Sequence, residues 1–463
     1  MQRLRWVALL LVLALVAAAC GRSDDKSEGS SGSTTTAGSS GVKSADFGSL
    51  TEVCQDGDPS DGPAPGVSAD EINIATFSDP GFTGRQGLNQ ELFDTAEVFA
   101  AWCNERGGIN GREIVVHERD SALFNVKAKM TEACAEDFMM VGGGAVFDQD
   151  GVRTRLECML PDIAGYAVSP EVRGSDLLVQ PVPNSIKTLP VGDYVYLKRK
   201  YPDAVDHVGI LTGDLVTTKL VGQQNKEAVE SLGFEVVYDD VYPPAGVTDW
   251  TPYAQGVKDK GVKGLIWVGE PENLAGLMKA FANIGYDLDW VRTDANHYDQ
   301  KLIEVAGSAL DVPVLIRSAF EPFEDASDDN ATGKYLAAFE QYKPDGKSRG
   351  YLGLQAWSAW LLFAEAAKQC GNNLTRKCVM ENAQKVNEWT GGGLHAKTDP
   401  GSGDASPCFA LERATPDGFK LVSDTKPDDG IFNCDPNNVY TLTGDYPSGV
   451  TLEEVGKSIS ELK

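Results

Sequence analysis

Residue types that drive catalysis are few in this chain, and their spacing does not suit it. Its 463 residues include four histidines, His117, His207, His297 and His395. None belongs to an H-E-x-x-H pair, and no G-x-S-x-G turn or Walker-type glycine loop is present. His117 falls inside an apolar, strand-like run and His207 at the start of another, so both read as structural. His297 lies in a loop where it is free to face a ligand, but no Cys or Ser nucleophile adjoins it. This pattern argues against an enzyme, and no cofactor is expected. Asp56-Gly-Asp58-Pro-Ser-Asp61-Gly62 gathers carboxylates but lacks the long loop and closing Glu of a calcium site, so it reads as an exposed acidic turn. No metal is expected.

The amino terminus carries a different chemistry. Arg3 and Arg5 precede an apolar run from Trp6 to Val16, then three alanines, then Cys20. A basic start, a short apolar core and small residues before a cut form a secretory signal, read as residues 1–19. The run is too short to span a hydrocarbon core of roughly 30 Å permanently. A cysteine directly after the small residues is the mark of a bacterial lipoprotein, whose new amino terminus carries lipid on that cysteine. The usual Leu three residues before the Cys is replaced by Ala17. An ordinary cleaved signal with an incidental Cys20 is the alternative. Both readings place the mature protein outside the cytoplasmic membrane; the lipoprotein reading anchors it by lipid to the outer face of that membrane, at a bacterial cell surface or in a periplasm.

Cys20 aside, eight cysteines remain: Cys54, Cys103, Cys134, Cys158, Cys370, Cys378, Cys408 and Cys434. An even number in an exported protein predicts four disulfides, with many connectivities open. Local spacing pairs Cys370 with Cys378 across a short polar stretch, and Cys408 with Cys434 across a hairpin-like segment. Cys54 is expected to staple its neighbourhood to the body. The formal charge is −27, and removing residues 1–19, with two Arg and no acid, takes it to −29. That excess argues against nucleic acid and anionic headgroups as partners. No later apolar stretch is long enough to cross a membrane.

Gly21 to Gly41 is rich in Gly, Ser and Thr and reads as a flexible tether with a reach of about 25 Å. The lipidated cysteine and tether are assigned to residues 20–66, and the folded part to begin near Asp70. From there short apolar runs alternate with helical periodicity. Strands are predicted at 71–77, 113–117, 139–141, 207–211, 234–237, 264–268 and 312–316. Helices are predicted at 92–106, 126–138, 218–231 and 272–284. Alternation of this kind predicts an α/β fold with parallel sheets covered on both faces. The length calls for two lobes.

The segment Asn104-Glu-Arg-Gly-Gly-Ile-Asn-Gly-Arg-Glu-Ile114 follows the first strand and helix and precedes a strand ending near Asp120. Gly107 and Gly108 suit a left-handed helix stop, and Asn110-Gly111 a tight turn. This segment resembles the leucine/isoleucine/valine-binding family of ABC-transporter receptors. The resemblance runs from about Ile72 to Val422. It includes Pro161-Asp-Ile-Ala164, the late helix Tyr351-Leu-Gly-Leu-Gln-Ala-Trp-Ser-Ala-Trp360, and the stretches Cys370–Cys378 and Trp389–Leu394, similar to a disulfide-bearing branch. It implies a type I periplasmic-binding-protein fold: two doubly wound parallel-sheet lobes joined by a three-strand hinge. Lobe 1 is expected at 70–189 plus 319–390, and lobe 2 at 190–318 plus 391–463. The implied partners are a small organic solute, amino-acid-like or related, and the permease and ATPase subunits of an importer. The implied form is a monomer, touching membrane only through its lipid. A ligand-sensing receptor of the same fold, feeding a signalling partner, is the alternative.

Open α/β sheets bind ligands beyond the carboxyl ends of their strands. In lobe 1 that rule selects Ser78 and Phe82, then Ala145, Val146 and Phe147, then Tyr166, Ala167, Val168 and Ser169. In lobe 2 it selects Asp214 to Thr217, Glu270, and Asp294 to Tyr298. By resemblance, hydroxyls and amides of lobe 1 hold a carboxylate, and an acid and aromatics of lobe 2 hold an ammonium. The chain departs from that pattern where Gly144-Ala-Val-Phe147 replaces a Ser-rich stretch. Glu270 and Asp294 are the expected lobe 2 acids. The rim aromatics Phe82, Phe147, Tyr166 and Tyr298 suit an apolar or ring-bearing solute.

Overall fold

The computed structural model describes residues 44–60, 62 and 64–463. The signal, Cys20 and the Gly/Ser-rich tether lie outside the described residues. The described residues belong to one unit.

The chain opens with β1 (Glu71–Ser78), α1 (Gln90–Asn104), β2 (Glu113–Asp120), α2 (Val126–Glu136), β3 (Met139–Val141), α3 (Gln149–Glu157), β4 (Asp162–Ile163), α4 (Pro170–Arg173) and β5 (Leu178–Val179). The five strands form one parallel sheet in the order β2-β1-β3-β4-β5. Next come β6 (Thr188–Pro190), α5 (Gly192–Lys200), β7 (Val208–Gly213), α6 (Val216–Ser231), β8 (Val236–Tyr242), α7 (Thr251–Asp259), β9 (Gly264–Val268), α8 (Pro271–Ile284), β10 (Trp290–Asp294), α9 (Gln300–Ala306) and β11 (Val314–Ser318). The chain then returns to the first sheet with α10 (Ala331–Tyr342), α11 (Tyr351–Lys368) and α12 (Arg376–Ala383), and ends on β12 (Ala410–Thr415), β13 (Gly418–Leu421) and β14 (Val439–Thr441). The second sheet runs β13-β12-β11-β10-β9-β7-β8, parallel except for the antiparallel hairpin β12–β13 laid on β11. This is the expected fold class, two parallel-sheet lobes.

Each sheet contains the same winding. The order β2-β1-β3-β4-β5 reverses between β1 and β3, and β8-β7-β9-β10-β11 reverses between β7 and β9. Those reversals are the switch points where helices diverge and a crevice opens. Sequence dictates the burial. In β1 only Glu71 is exposed, so both faces of the strand are covered. Helix α11 is buried along nearly its whole length, with Trp357 and Trp360 fully enclosed. Their rings meet Phe99 at 5.2 and 5.4 Å between centroids. The glycine turn forms as read. Gly107 and Gly108 have φ of 96° and 67°, and a Cβ on Gly108 would lie 2.0 Å from the Arg112 carbonyl oxygen.

The folded body begins earlier than near Asp70, which corrects the tether boundary of 66. Phe47 is 1% exposed and packs on Trp357 at 5.4 Å and Trp102 at 6.2 Å. Val53 is buried, and Cys54 is bonded to Cys103 in α1. The other bridges are Cys134–Cys158, Cys370–Cys378 and Cys408–Cys434. The chain's end also departs from the expected lobe 2 segment 391–463. Residues 450–463 run back along the first lobe, where Val450 N–H donates to Glu171 O (3.0 Å), Leu452 N–H to Asp176 Oδ2 (2.7 Å), and Lys377 N–H to Lys463 O (3.2 Å). Among the described residues no helix is long and apolar enough to cross a membrane.

Candidate functional site

The loops leaving the switch points set the site. After β1, Ser78 is buried and its hydroxyl donates to Asn89 O at 2.8 Å, closing the loop before α1. Asp79, fully buried, accepts from the Ser121 hydroxyl, from Leu123 N–H (2.8 Å) and from Val146 N–H (2.8 Å). One carboxylate therefore ties together the loops that follow β1, β2 and β3. Phe82 and Arg85 follow in the same turn, with Arg85 N–H on Phe82 O at 3.1 Å.

The loop after β2 is strained. Ala122 and Leu123 have φ of 43° and 76°, a region side chains rarely occupy. Asp120 holds Ala122 N–H at 2.9 Å, and Asp79 holds Leu123 N–H. The next residue, Phe124, is 69% exposed. Its ring lies 6.0 Å from Phe82 and 5.7 Å from Phe147, between half-buried neighbours from the loops on either side. A rim of three aromatic rings results, one from each of these loops.

After β3, the glycines allow a close pass. A Cβ on Gly143 would sit 2.3 Å from Phe77 N, and one on Gly144 2.1 Å from Tyr166 O. Ala145 is buried behind the rim, and Val146 and Phe147 are half-buried on it. Asp148 accepts from Val168 N–H (2.7 Å) and Ser169 N–H (3.1 Å), and burial pushes its carboxyl up to about 6 against those bonds. Ser169, 1% exposed, caps α4 by accepting from Val172 N–H at 3.3 Å. Ala167 is buried, with its carbonyl on Asn184 Nδ2. Tyr166 is half-buried, its hydroxyl pushed up by burial and then by the carboxylate of Glu270.

In the second lobe, Asp214 is exposed and paired with Lys219 at 2.6 Å, and Thr217 is buried. Between them Val216, at the start of α6, is 83% exposed. Glu270 does not stand free. Arg85 of the first lobe pairs with it, and also with Glu272 at 2.9 Å. Nearby, Lys347 pairs with Glu91 of α1 (3.0 Å) and with Asp299 of the second lobe (3.6 Å). These contacts bring the carboxyl ends of the two sheets face to face. Asp294 is gripped by Arg292 of its own strand at 2.8 and 2.9 Å, and Arg292 also holds buried Asp193 at 2.6 Å. Burial would raise the Asp294 carboxyl, but Arg292 and Arg317 hold it below its ordinary value. Tyr298 is 5% exposed; its hydroxyl donates to Glu324 at 2.7 Å and its ring stacks on Phe419 at 4.0 Å.

The structure thus brings Phe82, Val146, Phe147 and Tyr166 to one rim, with Arg85 joining it to Glu270. Ser78, Ala145, Ala167, Ser169, Thr217 and Tyr298 are buried supports around it. Asp79, Arg85, Phe124 and Asp148 were missed in the sequence reading. Arg85 was open to detection as the single basic residue of the loop 78–87. His297 is buried rather than facing a ligand, with Nδ1 on Thr293 Oγ1 at 2.6 Å and its imidazole pushed by burial to about 4, hence neutral at pH 7. His117 meets Asp137 at 2.5 Å, and His395 meets Ser358 at 2.8 Å. Among the described residues no group of three or more His, Cys, Asp or Glu is placed to hold a metal ion.

A family model described as periplasmic binding protein matches residues 81–418. No curated protein sequence matches the chain. A fatty acid ABC transporter substrate-binding protein from Thermomonospora curvata superposes with a TM-score of 0.66 at 17% identity, covering 81% of this chain and 97% of the other. A leucine-binding protein from Thermotoga maritima gives 0.61 at 14%, covering 76% and 97%. A branched-chain amino acid transporter substrate-binding protein from Streptococcus pneumoniae, in complex with isoleucine, gives 0.60 at 16%, covering 76% and 99%.

Proposed function

The chain belongs to the periplasmic binding protein family, and from that premise we propose that it captures a small organic solute between its two lobes and delivers it to an ABC importer. The observation that carries this reading is Arg85, which reaches from the first lobe's switch-point loop to Glu270 and Glu272 at the second lobe's. Facing crevices joined by an ion pair suit a hinge that closes on a ligand. The lobes are taken as 70–189 with 319–390 and 190–318 with 391–449, residues 47–54 packing on the first lobe and the last residues strapping back over it. Among the similar structures are a fatty acid transporter binding protein and binding proteins for leucine and branched-chain amino acids, which supports an organic solute with an apolar body. Cleavage before Cys20 and lipidation there would hold the receptor at the outer membrane face, raising its concentration beside the permease.

A thermal-shift screen of the oxidised, mature protein against amino acids, amides, carboxylic acids, polyamines and sugars tests the reading. A solute at 100 times its dissociation constant adds about 2.7 kcal/mol to stability. A concentration-dependent rise in melting temperature with one chemical class is the expected result. A folded protein that no class stabilises would refute solute capture and favour a sensory or protein-binding role.

A further inference from the structure

We propose that the cleft takes an apolar aryl or acyl solute that carries no α-ammonium group, seated on the ring cluster of Phe82, Phe124 and Phe147. This rests on the solute-capture reading and specifies its substrate class. Three observations converge. The cluster lies at the first lobe's switch point, with Phe124 69% exposed between half-buried Phe82 and Phe147, and Val216, 83% exposed, stands at the other lobe's switch point. Exposed large apolar side chains gathered at a crevice mark a binding surface. Phe124 is held out by two residues in left-handed conformations, each fixed by a buried or half-buried carboxylate. Such strain persists only where the surroundings enforce it, and it collects at ligand sites.

The third observation concerns the groups that would read an amino acid's charged end. An α-ammonium needs a free acid. Glu270 is taken by Arg85, and Asp294 by a two-point contact with Arg292. Tyr298, the expected aromatic partner, is buried with its hydroxyl on Glu324. The serine hydroxyls expected for a carboxylate are also engaged: Ser78 donates to Asn89 O, and the Ser169 side chain hydrogen-bonds the buried Asp148 carboxylate. An ammonium would have to share Glu270 or Asp294 with the guanidinium that already holds it, giving up its hydration for a weakened contact.

Matched solutes isolate the ammonium. Binding of phenylalanine against hydrocinnamate, and of leucine against isocaproate, is measured by calorimetry on the full oxidised protein. Each desamino acid is expected to bind at least about tenfold more tightly than its amino acid. Hydrocinnamamide then shows whether the solute's carboxylate contributes: equal affinity assigns recognition to the ring alone, and weaker binding adds a carboxylate contact. Phe124→Ala is expected to weaken hydrocinnamate about tenfold with an unchanged melting temperature, because the ring is exposed. Phe124→Leu should restore part of the loss. Tighter binding of either amino acid, or an unaltered affinity in Phe124→Ala, overturns the proposal while leaving solute capture standing. If none of these binds but another class does, the proposal falls alone. If no class binds, both fall.

Discussion

Replacing Arg85 with alanine should loosen the contact between the lobes by an amount the geometry bounds. The guanidinium serves two carboxylates, with Glu270 on Nη1 and Glu272 on Nε at 2.9 Å and Nη2 at 3.2 Å. All three side chains keep water contact, at 28%, 44% and 33% exposure for Arg85, Glu270 and Glu272. Partly exposed pairs of this kind are worth about 0.2–1 kcal/mol each. Two pairs sharing one cation give roughly 0.4–2 kcal/mol, a shift of about 2–30-fold in the balance of joined and separated lobes.

Dyes placed on exposed positions of the two lobes would report their separation by energy transfer, and ligand affinity would be read in parallel. Arg85→Ala should widen the distribution and weaken affinity by a similar factor. Raising salt should move the native protein toward the variant, because exposed pairs are screened. A cycle with Glu270→Gln and Glu272→Gln should give a coupling of about 0.5 kcal/mol or more. If the separation, its salt response and the affinity all match the native protein, Arg85 is a surface decoration and the closing-hinge argument loses its support.

Two further outcomes follow from burial. Phe47→Ala removes a 1%-exposed ring wedged against Trp102 and Trp357 and should cost about 3–5 kcal/mol in denaturant unfolding; a cost near zero would mean that residues 44–54 do not belong to the folded body. Glu412 is 1% exposed and its carboxyl is raised from 4.5 to about 8 by burial, against the Tyr351 hydroxyl at 2.5 Å. An acid raised on folding gives stability that is present in full below its ordinary value and lost as pH climbs to about 8. Melting scans of Glu412→Gln should therefore lack up to about 1.4 kcal/mol per pH unit of the native protein's decline across that window.

The fold was legible because its signals are local. Strand–helix alternation, the Gly107–Gly111 turn and the short-range cysteine couples each lie within a few residues or one element. The early start of the body was not. Phe47 sits in a short polar stretch, and its burial depends on Trp357, far away in sequence on α11. The site was legible as a set of loops, since strand ends locate a crevice. The state of its side chains was not legible. Ser78 and Ser169 looked available until their bonds to Asn89 and Asp148 were seen, and the Glu270 partner comes from the other lobe. Asp294 is the exception: Arg292 lies two residues away on the same strand, so side-chain alternation puts both on one face.

The ion pair and the ring cluster sit in one crevice, and closure acts on both. A solute that covers the rings displaces water from the same interface that holds Arg85 and its two acids. Drying that interface lowers the local dielectric and strengthens each charge pair. The pairs hold the lobes together, and joined lobes keep the solute covered. Such coupling is reciprocal: whatever the solute contributes to closure, closure returns to the solute's affinity. An uncharged aryl amide has no charge of its own to be screened. Its affinity should still fall with rising salt in the native protein and cease to do so in Arg85→Ala. That difference separates a crevice in which the ion pair closes over an apolar solute from one in which the two features merely lie side by side.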